Sequence, residues 1–228
     1  MRKLDVNRPG YVLVFAAAAS AAFTAAIMSL HAATESQVRR NERLFEQRAL
    51  VEAFGLHDGN ALTDQQVIER YDRHIRRDGK TIEDPQSGTR FKVIRAVEPT
   101  AGGGERLLGY AFPVWGTGFW ARIDGWLAVT PDLSRAIGIV FVRHSETPGL
   151  GARITEPRWR KEFEGLNLSP PPAGEPTIVI GPGDEAQNRR VDAITGATGT
   201  CTAVERFLNL RIPQFRRAAV AAGLIDPL

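Results

Sequence analysis

The chain has 228 residues, of which 43% are hydrophobic and 24% are charged, and its formal net charge is only +3. This composition suits one folded domain of roughly 150–180 residues joined to an anchoring segment. No run of basic residues is interleaved with aromatics, so we expect no nucleic-acid partner. Because Cys201 is the only cysteine, an intrachain disulfide and a zinc site of paired thiolates are excluded. The four histidines do not cluster, and we expect no metal site.

The first predicted element is a membrane-spanning helix. An uncharged stretch of apolar and small residues extends from Tyr11 to Leu30, the length of one bilayer crossing. A cleaved signal peptide is the alternative, although the stretch exceeds the ~7–15-residue apolar region of such peptides. We therefore expect residues 1–33 to form a retained anchor. The charges on its two sides do not decide its orientation.

An amphipathic pattern over residues 34–56 predicts a stalk helix that continues the anchor. The remaining residues, 57–228, should form the folded domain. This domain begins with a capping box at Thr63, which opens a helix that we expect to reach Gly79. Alternating or apolar runs then predict antiparallel strands at 90–97, 107–114, 123–129 and 137–142.

A C-terminal helix should follow residue 198. We expect it to reach about Leu210, to be interrupted by Pro213 and to resume through Ala222. The predicted fold class is therefore α+β: an antiparallel sheet flanked by helices, with one N-terminal transmembrane helix.

Residues 114–120 (VWGTGFW) place two glycines between aromatic side chains. Such a loop allows close backbone approach and offers flat surfaces for stacking. A packed edge of the core is one interpretation. The other is that Trp120 or Trp115 borders a planar ligand.

Residues 192–198 (DAITGAT) combine a flexible glycine with hydroxyls just ahead of a predicted helix. Gly196 permits a sharp turn or a positive φ. The N–H groups at a helix start, with the positive end of the helix dipole, suit a phosphate. An ordinary N-cap after a glycine turn is the alternative on local chemistry alone.

A second segment, residues 146–151 (ETPGLG), follows the strand predicted at 137–142 and contains a Pro-Gly turn pair. Together with Asp192 and the sequence TGAT at 195–198, this segment resembles two motifs of the FMN-binding domain family, Dxx(S/T)GAT and ETPGLG. The resemblance implies that FMN is joined to Thr198 by a phosphodiester bond. It also implies that a separate flavin transferase makes this bond with FAD as the donor.

The resemblance further implies a set of residues that bind the cofactor, and no catalytic residue. Glu146 and Thr147 would hydrogen-bond to the flavin, glycines would bring main chain close to it, and Leu150 would shield one face. The full predicted set is Thr198, Asp192, Thr195, Gly196, Ala197, Glu146, Thr147, Gly149, Leu150, Gly151 and Trp120. The chain departs from the family where Gly199 stands in place of a more usual apolar residue and Cys201 in place of serine.

The function implied is electron transfer without turnover by the chain alone. We expect an FMN-carrying subunit of a membrane NADH:quinone oxidoreductase that couples electron transfer to Na⁺ translocation, with other subunits as partners. A subunit of a ferredoxin:NAD complex of the Rnf type and a stand-alone FMN carrier are the alternatives. An anchored domain without flavin is the hypothesis from another class. The resemblance places the chain in the inner membrane, crossing once, with the FMN domain on the periplasmic side.

Overall fold

A computed structural model describes residues 9–57, 61–100, 102–182 and 187–226. The first helix, α1 (Pro9–Ala53), is 45 residues long. Among the described residues it is the one helix long and apolar enough to cross a membrane, by length and composition, and its most apolar 18-residue window has a mean hydropathy of 2.0. The chain divides into two compact units, the first ending at Phe45 and the second beginning at Glu46.

The second unit is built on a five-stranded antiparallel sheet. In sequence order its strands are β1 (Ile75–Arg76), β4 (Ile94–Pro99), β5 (Glu105–Thr117), β6 (Arg122–Val129) and β7 (Ala136–Arg143), and neighbours in this order are paired. Two small sheets accompany it: β2 (Thr81–Glu83) pairs antiparallel with β3 (Arg90–Lys92), and β8 (Val179–Ile180) pairs parallel with β9 (Arg190–Val191). The helices of this unit are α2 (Asp64–His74), a 3₁₀ helix (Gly151–Thr155), α3 (Pro157–Lys161) and α4 (Thr198–Ala221).

Both faces of the large sheet are buried. Successive strand residues point to opposite faces, and each face packs into its own apolar cluster. On β6, Ile123 and Leu127 belong to the cluster that includes Phe207 and Phe215 of α4. Trp126 points to the opposite cluster, where Leu50 from the end of α1 is completely buried. The predicted α+β class, with an antiparallel sheet and a long N-terminal apolar helix, is confirmed.

Two predicted helix boundaries are wrong. The capping box at Thr63 is present, but α2 ends at His74 and not at Gly79. Ile75 instead pairs with Ala96 as an edge strand, because its buried β-branched side chain fits the sheet. The second error concerns α4, which continues through Pro213 without interruption. One backbone hydrogen bond is lost at a proline, but buried residues on both sides of it hold the helix against the sheet.

Candidate functional site

The residues predicted to bind the cofactor lie in three loops that meet at the start of α4. These loops are residues 118–121 after β5, residues 146–151 after β7, and residues 192–198 at the entry to α4; we call them the three-loop site. The side chain of Leu150 from the second loop lies against Gly196 of the third, where a Cβ atom would be only 3.0 Å from Leu150 Cδ2. The fold therefore brings into contact two residues that are 46 positions apart in sequence.

Glu146, in the second loop, connects the first loop to the start of α4 through its carboxylate. Its Oε1 accepts the backbone N–H groups of Phe119 at 3.0 Å and Trp120 at 3.2 Å. Its Oε2 accepts the hydroxyl of Thr200, in the first turn of α4, at 2.5 Å. The side chain is only 4% exposed. Both oxygens thus accept hydrogen bonds from protein donors, while the expected hydrogen bond between Glu146 and the flavin stays a prediction.

The contact between Glu146 and Thr200 depends on a glycine. A Cβ atom at Gly151 would lie 2.4 Å from Thr200 Oγ1 and 3.0 Å from Glu146 Oε2, closer than side chains pack. Residue 151 must therefore lack a side chain for the second loop to approach the helix.

Two exposed aromatic side chains occupy the first loop. Phe119 and Trp120 pack edge to face, with ring centroids 5.1 Å apart, and Trp120 is 67% exposed. The Trp120 indole N–H donates to Thr147 Oγ1 at 3.0 Å, which leaves the proton of that hydroxyl for another acceptor. Phe119 lies on Gly199 of α4, where a Cβ atom would be 2.4 Å from its ring.

Buried contacts hold the third loop in place. Gly196 adopts φ +77°, the left-handed conformation that glycine favours. The N–H of Ile194 donates to Cys201 Sγ at 3.3 Å, and burial raises the pKa of the Cys201 thiol. A buried thiol that remains protonated is a structural group, because the thiolate is the reactive form.

Asp192 is held mainly by its backbone. Its N–H donates to Glu162 Oε2 at 2.6 Å, and its carbonyl accepts the indole N–H of Trp159 at 2.7 Å. The exposed carboxylate of Asp192 pairs with Arg190. Asp192 therefore fixes the entry to the third loop.

Thr198 is the first residue of α4 and is exposed, as are Thr195 and Gly196 before it. No side chain caps the helix, because the N-cap position is occupied by Ala197. The first N–H groups of a helix have no acceptor within it, and together with the helix dipole they favour a bound anion. An exposed hydroxyl, small neighbouring residues and uncapped N–H groups fit the phosphate of FMN.

Sequence reasoning missed Phe119 and Thr200 as parts of this site. Thr200 was visible as one of several hydroxyls after the DAITGAT segment, but nothing in the sequence pairs it with Glu146. Phe119 lies in the aromatic loop from which we selected Trp120. Its contact with Gly199 joins two positions that a sequence pattern treats separately.

A comparison with known families matches part of the chain. Residues 118–211 match the model of the FMN-binding domain family, and this segment contains the whole three-loop site. The predicted resemblance to that family is confirmed, and FMN is the cofactor that the match supports.

More specific relatives are subunits C of Na⁺-translocating NADH-quinone reductases. The chain is 34% identical to the one from Chlamydia muridarum over 119 residues (44% of this chain, 37% of the relative). It is 37% identical to the one from Haemophilus ducreyi over 94 residues (41% and 36%). With the one from Pasteurella multocida it shares 32% identity over 139 residues (59% and 52%). The alignments thus span between about a third and a half of the length of these relatives.

Solved structures of the same subunit share the fold. The chain resembles NqrC of Shewanella oneidensis with a TM-score of 0.57 and 23% identity, covering 73% of this chain and 89% of that one. The corresponding subunit of Parabacteroides distasonis gives a TM-score of 0.62 and 19% identity, covering 80% and 95%. At this identity the likeness concerns the fold alone.

Proposed function

We propose that the chain carries FMN covalently on the Thr198 hydroxyl through a phosphodiester bond. The observation that carries this proposal is the position of Thr198: its exposed hydroxyl lies at the uncapped N-terminus of a 24-residue helix. The helix start offers N–H groups and a positive dipole end to the phosphate. The sequence motif Dxx(S/T)GAT, complete at 192–198, assigns the same residue.

Neighbouring threonines are less suited to this role. Thr200 is buried, and its hydroxyl already donates to Glu146 at 2.5 Å. Thr202 is exposed but lies one turn further along α4, beyond the uncapped N–H groups. Thr198 therefore combines exposure with the favourable end of the helix.

When bound, FMN supplies the ability to accept and pass on one or two electrons. The chain's own residues hold and shield it. The start of α4 binds the phosphate, and Thr147 retains a hydroxyl proton to donate. The exposed side chains of Leu150 and Phe119 lie against Gly196 and Gly199, next to Thr198, and would limit the access of water. Glu146 holds the first loop against the start of α4 and does not need to touch the cofactor for this role.

We further propose that the chain is the FMN-carrying subunit of a Na⁺-translocating NADH:quinone reductase. The relatives named above carry that description, and the apolar helix α1 fits a single inner-membrane crossing. A periplasmic location of the FMN domain would also explain covalent attachment, because a loosely bound cofactor is lost where its free concentration is low. Maturation would then require a flavin transferase.

The attachment site is tested by expression of the full chain in a host that contains a flavin transferase. After denaturing electrophoresis, flavin fluorescence should follow the wild-type band and the Thr202→Ala band and should be absent from Thr198→Ala. Fluorescence of equal intensity in Thr198→Ala would contradict the assignment.

Membership of the complex is tested separately, in the source organism. Inverted membrane vesicles from a strain lacking this chain should lose NADH-driven Na⁺ uptake, and wild type but not Thr198→Ala should restore it. If uptake is unchanged by the deletion while the chain still carries FMN, the stand-alone carrier is the better description.

A further inference from the structure

An open groove of about 550 Å³ lies beside the three-loop site. It runs between the ends of β5 and β6 and the exposed side of α4. We call it the arginine groove, and its lining residues are Trp115, Gly116, Thr117, Arg122, Arg206, Phe207, Leu210 and Arg211. Three of these residues are arginines and none is acidic.

The arginines are held by the groove wall with their charges close together. The Arg211 guanidinium stacks over the Trp115 ring, 4.1 Å from its centroid, and that of Arg122 lies 5.8 Å from the same centroid. Arg206 donates to the carbonyl of Thr117 at 3.1 Å. Burial and the neighbouring Arg122 both lower the pKa of Arg211, as expected where positive charges crowd. Asp124, which pairs with Arg122 at 2.7 Å, offsets only part of this charge.

The groove and the proposed FMN site share helix α4 and the turn that follows β5. Arg206 follows Thr198 by eight residues on α4, a distance of about 12 Å along a helix that rises ~1.5 Å per residue. Between them, Phe119 lies on Gly199, and Thr117 leads directly into the first loop. Leu210, at the groove rim, is 50% exposed.

We propose that the arginine groove is the docking surface for an acidic patch of a partner protein that exchanges electrons with the FMN. The identity of the partner as a redox protein depends on the proposed function; the charge of the surface does not. The composition of the groove favours a protein over a small phosphate-containing ligand. Arginine and tryptophan beside an exposed apolar side chain, here Leu210, are the composition of protein interfaces.

The first test uses the purified full chain in detergent and a fluorescein-labelled polyglutamate peptide. The groove variant is Arg122→Gln/Arg206→Gln/Arg211→Gln. A matched control removes the same charge from exposed positions outside the groove: Arg90→Gln/Lys92→Gln/Arg158→Gln. A third variant replaces the three groove arginines by lysine, which keeps the charge.

At low salt the peptide should bind the wild type, and the groove variant should bind about tenfold more weakly. The control and lysine variants should stay within about twofold of the wild type. Equal loss in the groove and control variants, or no binding by the wild type, would overturn the proposal. Displacement of the peptide by inorganic phosphate, but not by chloride at equal ionic strength, would show a phosphate site and also overturn it.

The second test asks whether the positive field reaches the flavin. The FMN of the loaded chain is reduced and then oxidised by hexacyanoferrate(III) or by hexaammineruthenium(III), which carry opposite charges. The groove variant should slow the first reaction and accelerate the second at low salt, and the control variant should change neither by as much. Equal responses in both variants would contradict the proposal. FMN content, measured separately by intact mass, distinguishes this failure from failure of the proposed function.

Discussion

Replacement of Glu146 by alanine should destabilise the three-loop site more than any exposed substitution nearby. Three donors lose their acceptor: the N–H groups of Phe119 and Trp120 and the hydroxyl of Thr200. A buried donor left unsatisfied costs about 1–3 kcal/mol. The two N–H groups belong to exposed residues and can turn to water, whereas Thr200 is buried, so we expect a total loss of about 3 kcal/mol.

For a domain of this size, 1 kcal/mol corresponds to about 2–4 °C in melting temperature, so Glu146→Ala should melt about 6–12 °C below the wild type. Glu146→Gln keeps the shape and one carbonyl acceptor, and it should lose only about 1 kcal/mol. Near-ultraviolet circular dichroism during thermal unfolding of the full chain in detergent measures both. The loss of loop geometry should also reduce flavin fluorescence after co-expression with the transferase in the alanine variant.

The matched control is Glu156→Ala, since Glu156 forms an exposed ion pair with Arg153 at 3.2 Å. Exposed pairs contribute about 0–1 kcal/mol, so its melting temperature should change little. If Glu146→Ala melts and incorporates FMN like this control, the carboxylate does not hold the loops together, and the positioning role is wrong.

Three further predictions concern acid stability, the thiol and the helix start. The hydrogen bond from Arg217 lowers the pKa of the buried Asp84 carboxyl, so its stabilisation is complete above the unfolded pKa of about 3.9 and is lost as the pH falls below that value. Asp84→Asn should therefore be less stable at neutral pH and show a smaller further loss in acid, as measured by urea unfolding at several pH values. Burial raises the pKa of Cys201, so a thiol reagent should label it only after denaturation; rapid labelling of the folded chain would show an accessible thiolate. Gly199→Ala should destabilise the wild type by about 1 kcal/mol because the new Cβ displaces the Phe119 ring, but it should not destabilise Phe119→Ala, where no ring is present. Equal effects in the two backgrounds, measured by urea unfolding, would show that the ring and residue 199 do not interact.

The strand pattern and the two motifs were sufficient to predict the fold class and to select loops that the structure brings together. Successive side chains of a strand point to opposite faces of the sheet. The sequence pattern therefore predicts that Ile123 and Leu127 share one face and that Trp126 lies on the other. The segment at 192–198 was informative because Gly196 permits a positive φ, which it adopts, and the apolar run that follows predicts a helix.

Long-range contacts account for what could not be predicted. Helix α2 ends at His74 because the next residue, Ile75, pairs with Ala96 in the sheet. Ala96 is distant in the sequence, so local helix propensity gives no information about this pairing. The continuity of α4 through Pro213 depends on burial of the helix on both sides of it. The family resemblance implied a hydrogen bond between Glu146 and the flavin; its burial instead arises from donors in the first loop and in the first turn of α4.

The central claim is that Thr198 carries FMN, and the intact mass of the chain tests it most directly. The chain is purified from membranes of a host with a flavin transferase, and the modified peptide is located by fragmentation. We expect a wild-type mass raised by one FMN less one water, with the addition on Thr198, and an unmodified Thr198→Ala variant. A folded wild-type chain that remains unmodified, or an addition located on another residue, would contradict the account.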